Sequence, residues 1–232
     1  MGRFGLVGFP VAHSLSPVLF DAAYHGRHSY ETVETGDFSL AMSGLKNRFD
    51  AINVTMPFKT LAAENADIRF PEVRRTGAAN ILLNTPDGIV ARNSDFMAVR
   101  TILAGIRKRA ATAGNLSAAV IGTGGAGKAA IAAAVDNGMT VNVYRHDEIS
   151  GGVKADVIIY ALPCAVDGFD RMECRFLLEA NYKDPCLNGI EGGWDYISGL
   201  RWLTQQGIEG YELMTGEKPD AEAMLKVVGL SE

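Results

Sequence analysis

Residues 118–147 read AAVIGTGGAGKAAIAAAVDNGMTVNVYRHD, and the fold is decided in this stretch. A short apolar run, residues 118–121, enters a turn that holds Gly122, Gly124, Gly125 and Gly127. An alanine-rich helical run follows, with Asn137 and Gly138 as its stop, and residues 140–144 alternate like a strand. Strand, glycine turn, helix and strand make a βαβ unit with G-x-G-x-x-G at its first turn, the dinucleotide-binding pattern. Glycines there let the main chain approach a pyrophosphate, and the N–H groups and dipole of the helix hold its charge. The same letters nearly spell a P-loop, because residues 122–128 fit G-x-x-x-x-G-K. A P-loop needs Ser or Thr next to bind magnesium; Ala129 stands there, so an NTPase reading is rejected.

The end of the second strand selects the dinucleotide. An NAD site carries Asp or Glu there, to accept from the ribose 2′-hydroxyl. This chain has Tyr144-Arg145-His146, and a cation at Arg145 suits a 2′-phosphate, so NADP is favoured. Asp147 and Glu148 follow closely enough to leave NAD open.

The remainder of the chain is that of an ordinary globular protein. It has 232 residues, 47% hydrophobic and 21% charged, enough for one large or two small cores. A net charge of −5 without a basic run argues against nucleic acid. The longest mainly apolar run, around residues 157–166, is too short for a membrane span and contains Pro163. Cys164, Cys174 and Cys186 are odd in number and lack C-x-x-C spacing, which suits free thiols in a reducing compartment. With no signal-peptide pattern, the expectation is a soluble cytoplasmic protein, monomer or homodimer, with no metal site and no membrane partner.

Working outward from the βαβ unit, strands are expected at residues 4–8, 30–35, 51–54, 155–161 and 176–180. Residues 77–83 and 89–92 flank a hairpin-type turn, Pro86-Asp87-Gly88. Ser16 before Pro17 reads as an N-cap hydroxyl followed by a proline at the first helical position. Further helices are expected over residues 39–47, from Ser94 towards Arg107, and over 220–228. Alternating strands and helices imply a mostly parallel sheet covered on both faces. The fold class is therefore α/β, with two domains separated by the polar stretch 110–117 and a cleft between them.

Four stretches of the first half are polar where strands end, which is where open α/β sheets bind ligands. They are His13-Ser14-Leu15-Ser16-Pro17, Asn53-Val54-Thr55-Met56-Pro57-Phe58-Lys59, Gly77-Ala78-Ala79-Asn80 and Arg92-Asn93-Ser94-Asp95. With the glycine turn, their order and spacing closely resemble the shikimate dehydrogenase family, whose pattern runs S-x-S-P, N-V-T-x-P-x-K, G-A-x-N-T, N-T-D and G-x-G-G-A. Near the C-terminus, residues 199–206 (GLRWLTQQ) resemble that family's G-L-G-M-L-x-x-Q, and residues 211–216 (YELMTG) its F-E-L-W-T-G. The resemblance spans nearly the whole chain.

It implies reversible reduction of 3-dehydroshikimate to shikimate by NADPH, on the route to aromatic amino acids. Residues 1–97 and 203–232 would form a substrate-binding α/β domain, and residues 98–202 a Rossmann-type domain. Carried over by position, Lys59 and Asp95 would be the acid/base pair. Hydride transfer to a ketone leaves an alkoxide that needs a proton donor, and an anion beside an ammonium keeps it charged. Ser14 and Ser16 would bind the substrate carboxylate, and Thr55, Asn80, Tyr182 and Gln206 its hydroxyls, with Asn53 holding the loop. Gly122, Gly124, Gly125, Ala126, Gly127, Arg145 and Gly199 would line the cofactor. Taken singly, each residue has a plainer reading: Ser16 a helix cap, Lys59 a solvated lysine, Asp95 a first-turn acid, Asn80 a turn residue. Their shared order carries the resemblance.

The departures gather on the cofactor side. Tyr160-Ala161-Leu162-Pro163 replaces an N-A-T-P-like loop, losing an amide and a hydroxyl. The D-x-x-Y-x-P stretch becomes Glu179-Ala180-Asn181-Tyr182-Lys183-Asp184-Pro185, one residue longer before proline. The stretch 182–199 is short, so a helix there should be trimmed or missing. Trp202 stands for a methionine, Phe96 for the glycine after the Asp, and of the N-R-T grip on the 2′-phosphate only Arg145 remains. The alternatives are a quinate or aminoshikimate dehydrogenase using NAD, and a ligand-binding relative without turnover.

Overall fold

A computed structural model describes residues 1–110 and 114–231. In chain order the elements are β1 (Arg3–Gly8), α1 (Ser16–Tyr24), β2 (Ser29–Glu34), α2 (Phe38–Arg48), β3 (Ala51–Val54), α3 (Lys59–Glu64), β4 (Ile68–Arg69), α4 (Pro71–Thr76), β5 (Ile81–Thr85) and β6 (Gly88–Arg92). There follow α5 (Ser94–Ala110), β7 (Ser117–Ile121), α6 (Gly125–Asp136), β8 (Thr140–Tyr144), β9 (Val153–Lys154) and β10 (Val157–Tyr160). The last are β11 (Met172–Glu173), β12 (Phe176–Glu179), β13 (Asp195–Ile197), α7 (Gly199–Thr215) and α8 (Ala221–Val227). Two compact units result: Met1–Ser94 with the stretch from Gln206 onward, and Asp95–Gln205. The stretch 110–117, expected to separate the two domains, lies within the second unit, since the chain divides at Ser94 and Asp95; its residues 111–113 lie outside the described residues.

Among the described residues, the first unit is built on a six-stranded sheet in the order β2-β1-β3-β5-β6-β4. β1 runs parallel to β2 and β3, and β4 to β6, whereas β5 is antiparallel to both neighbours. For the β5–β6 pair the cause is the Pro86-Asp87 link: two residues can join antiparallel strands but cannot carry a parallel crossover. One face packs Val7, Ile52, Val54 and Leu82 against Leu45, Phe58, Ala62 and Val73. Elsewhere Phe4, Phe20, Tyr24, Tyr30 and Tyr211 form an aromatic cluster, with ring centroids 4.5–6.1 Å apart for the contacting pairs.

The second unit carries five parallel strands in the order β13-β12-β10-β7-β8 among the described residues. Ala129, Ala130, Ala133 and Ala134 of α6 are wholly buried on one face, where small side chains bring the helix close to Ala118 and Val120. The opposite face is covered by residues of irregular segments and short strands, among them Ile149, Val153, Met172 and Leu187. That coverage differs from the helix layer expected of a doubly wound sheet. Between Tyr182 and Gly199, where α7 starts, the shortened stretch indeed holds no helix, only β13. Register places Tyr144, Ile121, Tyr160 and Glu179 in one row, so the loops that follow all leave the same sheet edge.

Two local expectations need correction. Ser16 is the first residue of α1 and not its N-cap; the cap position is Leu15, with no side-chain cap bond. The Ser14 hydroxyl accepts the Ser16 N–H instead, at 3.2 Å. The 17-residue α7 was not anticipated as a helix, although Trp202, Leu203, Tyr211 and Met214 lie buried along it. The stop of α6 holds as read: Gly138 takes φ 67°, and N–H groups of Gly138 and Met139 bond to Val135 and Ala134.

Candidate active site

In the first unit the polar stretches are tied into one network of neutral groups. Asn80, between α4 and β5, is 3% exposed. Its Oδ1 accepts the Ser94 N–H at 2.7 Å, and its Nδ2 donates to Ser94 Oγ at 3.0 Å. Both ends of the amide thus open α5, which fixes the residue before Asp95. Asn93, 1% exposed, donates through Nδ2 to Thr76 Oγ1 at 3.1 Å and to the Ala78 carbonyl at 2.9 Å. Asn53 at the end of β3 donates to the Asn80 carbonyl at 3.4 Å and accepts from Tyr30 Oη at 2.8 Å. Behind these, Arg92 pairs with Glu72 at 2.6 Å and lies over the Phe70 ring at 4.0 Å. Buried amides and hydroxyls that all find partners hold a surface rigid at little net cost.

Ser14 and Ser16 touch, with Ser14 Oγ donating to Ser16 Oγ at 3.2 Å. Thr55 follows β3 directly and is half-buried, its N–H donating to the Val7 carbonyl at 2.9 Å. Lys59 is the first residue of α3, half-buried, and its carbonyl accepts the Ala79 N–H at 2.8 Å. Gln206 is half-buried within α7. The first unit therefore gathers Ser14, Ser16, Thr55, Lys59, Asn80 and Gln206. Asp95, 5% exposed in the first turn of α5, and Tyr182, half-buried after β12, belong to the second unit.

The second unit supplies the glycine turn. Gly122 leaves β7 at φ 105°, and its N–H donates to the Tyr144 carbonyl at 2.9 Å. A methyl added at Gly127 would overlap the Gly122 carbonyl oxygen, so only glycine lets α6 start this close to β7. Gly124 differs: a methyl there would meet nothing within 4 Å, so the space over the turn is open. Gly124 is also the N-cap of α6 with no side-chain cap bond, while Gly125 is exposed and Ala126 half-buried in the first turn. An open cradle over uncapped helix N–H groups fits the pyrophosphate of a dinucleotide. Arg145 follows β8, is exposed, and lies 3.6 Å from Asp147. The cation that suits a 2′-phosphate is therefore present, with an exposed anionic neighbour.

The altered loops meet at a group that the motifs did not reveal. Glu179 is wholly buried, and its carboxylate accepts from Cys186 N–H (2.7 Å), Cys186 Sγ (3.2 Å), Leu187 N–H (3.3 Å) and Tyr196 Oη (2.5 Å). Asn181 donates to the Pro163 and Asp184 carbonyls at 2.9 and 2.7 Å. A methyl at Gly199 would lie 2.6–2.7 Å from Asn181 C and O and Tyr182 N, so Tyr182 is close to the start of α7. Two side chains thus organise the segment that lacks a helix. The signal was an acid closing the apolar run Phe176-Leu177-Leu178. Burial, chiefly, pushes the Cys174 thiol up to about 11 and the Cys186 thiol up to about 12, which leaves neither a ready nucleophile. Among the described residues no cluster of three or more His, Cys, Asp or Glu is placed to hold a metal ion, and no helix is long and apolar enough to cross a membrane.

Comparison with known proteins bears on this geometry. Residues 6–82 match the family model described as shikimate dehydrogenase substrate binding domain, and residues 199–228 that of the shikimate 5′-dehydrogenase C-terminal domain. The shikimate dehydrogenase (NADP(+)) of Ignicoccus hospitalis is 31% identical over 254 residues, 93% of this chain and 94% of that protein. The enzyme of the same name from Thermus thermophilus is 32% identical, with 97% and 96% covered. The crystal structure of shikimate 5-dehydrogenase from Thermus thermophilus in complex with shikimate aligns at TM-score 0.83 and 25% identity, over 98% of this chain and 97% of that one.

Proposed function

This chain belongs to the shikimate dehydrogenase family, and we propose that it catalyses the reversible NADP-dependent reduction of 3-dehydroshikimate to shikimate. The observation that carries the reading is the buried network that joins Asn53, Asn80 and Ser94, with Thr55 two residues after Asn53 and Asp95 directly after Ser94. A polyhydroxylated carboxylate needs many neutral partners, and a rigid set of them rejects analogues that leave one partner unpaired.

In this reading Ser14 and Ser16 bind the carboxylate, and Thr55, Asn80, Tyr182 and Gln206 the hydroxyls. Asn80 keeps one N–H and one lone pair beyond its bonds to Ser94, so it can hold α5 and a substrate hydroxyl together. Lys59 gives a proton to the carbonyl oxygen as it becomes an alkoxide, with Asp95 as its acid/base partner. Gly122, Gly124, Gly125, Ala126 and Gly127 would cradle the pyrophosphate, Arg145 the 2′-phosphate, and Gly199 would border the nicotinamide. NADPH, when bound, supplies the hydride. The stretch up to about residue 97 and that from about residue 203 would serve the substrate, the stretch between them the cofactor. We place the enzyme in the cytoplasm, as monomer or homodimer.

The test is absorbance at the reduced-nicotinamide band with shikimate or quinate and NADP or NAD, in all four pairings. The proposal expects the highest rate with shikimate and NADP. A preference for quinate or for NAD would move the chain to a relative of that specificity, and silence in all four pairings would support a ligand-binding protein without turnover.

A further inference from the structure

Ser16 is held far more tightly than the start of a helix requires. Its N–H donates to Ser14 Oγ and its hydroxyl accepts from Ser14 Oγ, both at 3.2 Å. Its carbonyl accepts from Tyr211 Oη at 3.1 Å, from a residue 195 positions away and 3% exposed on α7. The Tyr30 ring lies 6.1 Å from that of Tyr211 between centroids, and Tyr30 Oη gives its own proton to Asn53 Oδ1 at 2.8 Å. Burial holds the Tyr30 phenol well above its ordinary value, so it stays a neutral group that both donates and accepts.

Packing does not require these hydroxyls. Phe20 stacks on Tyr30 with centroids 4.5 Å apart and meets Tyr211 edge-on at 5.0 Å, contacts that phenylalanines would make equally well. Phenol hydroxyls set among aromatic rings carry a desolvation cost that only their bonds offset. Those bonds converge on Ser16 and Asn53.

We infer that Tyr30 and Tyr211 are positioning residues for the carboxylate subsite, holding the Ser14–Ser16 turn so that both serine hydroxyls address one carboxylate. Tyr30 spends its proton on Asn53, so its lone pairs remain for the Ser16 hydroxyl. An arriving carboxylate is a stronger acceptor than a phenol oxygen. The serine protons turn to it while the heavy atoms stay in place, and little ordering is left to be done on binding. This inference rests on the proposed reading of Ser14 and Ser16.

Tyr211→Phe and Tyr30→Phe test it, compared with wild type on shikimate and on shikimate methyl ester. Loss of a neutral hydrogen bond predicts a KM for shikimate raised about fivefold in each variant, with kcat within about twofold. KM for NADP should not change. The preference for shikimate over its ester, taken as a ratio of kcat/KM values, should fall in both variants, which general loosening of the fold would not cause. Unchanged KM in an active enzyme, or equal losses on acid and ester, overturns the inference alone. A wild-type chain inert towards shikimate overturns the proposed function and this inference with it.

Discussion

The two units solve the same problem, a rigid sheet edge that presents ligand-binding groups, with different chemistry. In the first unit the edge is held by neutral groups that satisfy one another, Asn53, Asn80, Asn93, Ser94 and Thr76. Each side chain is short, and the bonds tie strand ends to the starts and ends of neighbouring helices. In the second unit one buried carboxylate, Glu179, gathers four donors from a segment with no helix of its own. A neutral network spreads its loss over many weak bonds, whereas a charged hub concentrates it. The comparison teaches where tolerance should lie: the first edge should degrade by degrees, the second all at once.

Substitutions at the two edges should therefore differ in kind. Gly127→Ala has the largest expected effect: its methyl would collide with the Gly122 carbonyl, so the turn must open. The variant should lose NADP binding by fluorescence titration and unfold early on heating. Gly124→Ala is the matched control, since its methyl meets only open space. It should unfold like wild type yet bind NADP about tenfold more weakly, because a methyl occupies the pyrophosphate cradle. Next comes Glu179→Gln, which turns an NH2 group towards backbone N–H donors. Stability to urea should fall by about 3 kcal/mol. Asn93→Ala should cost less, about 1–2 kcal/mol for the lost amide bonds, and a reversed order would undo the contrast. Smallest is Arg145→Ala, at an exposed residue on the rim of the site, which should raise KM for NADP about fivefold and leave KM for NAD unchanged, as loss of a charge-assisted phosphate contact predicts.

Much of this was legible in the sequence because it is local. The glycine turn, the hairpin turn at Pro86-Asp87 and the helix stop at Gly138 each depend on a few adjacent residues and are placed as read, although the first hairpin strand begins at Ile81 and not at Gly77. The polar stretches were legible as motifs, but their bonding was not. Asn80 read as a turn residue or a hydroxyl ligand, whereas its amide opens α5, 14 residues on. Tyr211 and Ser16 are 195 residues apart, a pairing no periodicity announces. Ser16 read as a cap because Ser before Pro usually is one; the hydroxyl of Ser14 competes for that N–H. Glu179 was visible only as a departure from a pattern, since its partners come from loops whose paths the sequence does not determine.

Lys59→Ala asks whether Lys59 moves the proton in a site built for shikimate. With saturating shikimate and NADP, kcat should fall by at least about a hundredfold, the range expected for losing a general acid/base. KM for shikimate should stay within about threefold, because the serines, Thr55 and Asn80 are untouched. A variant that kept the wild-type kcat would contradict the account and require another proton donor.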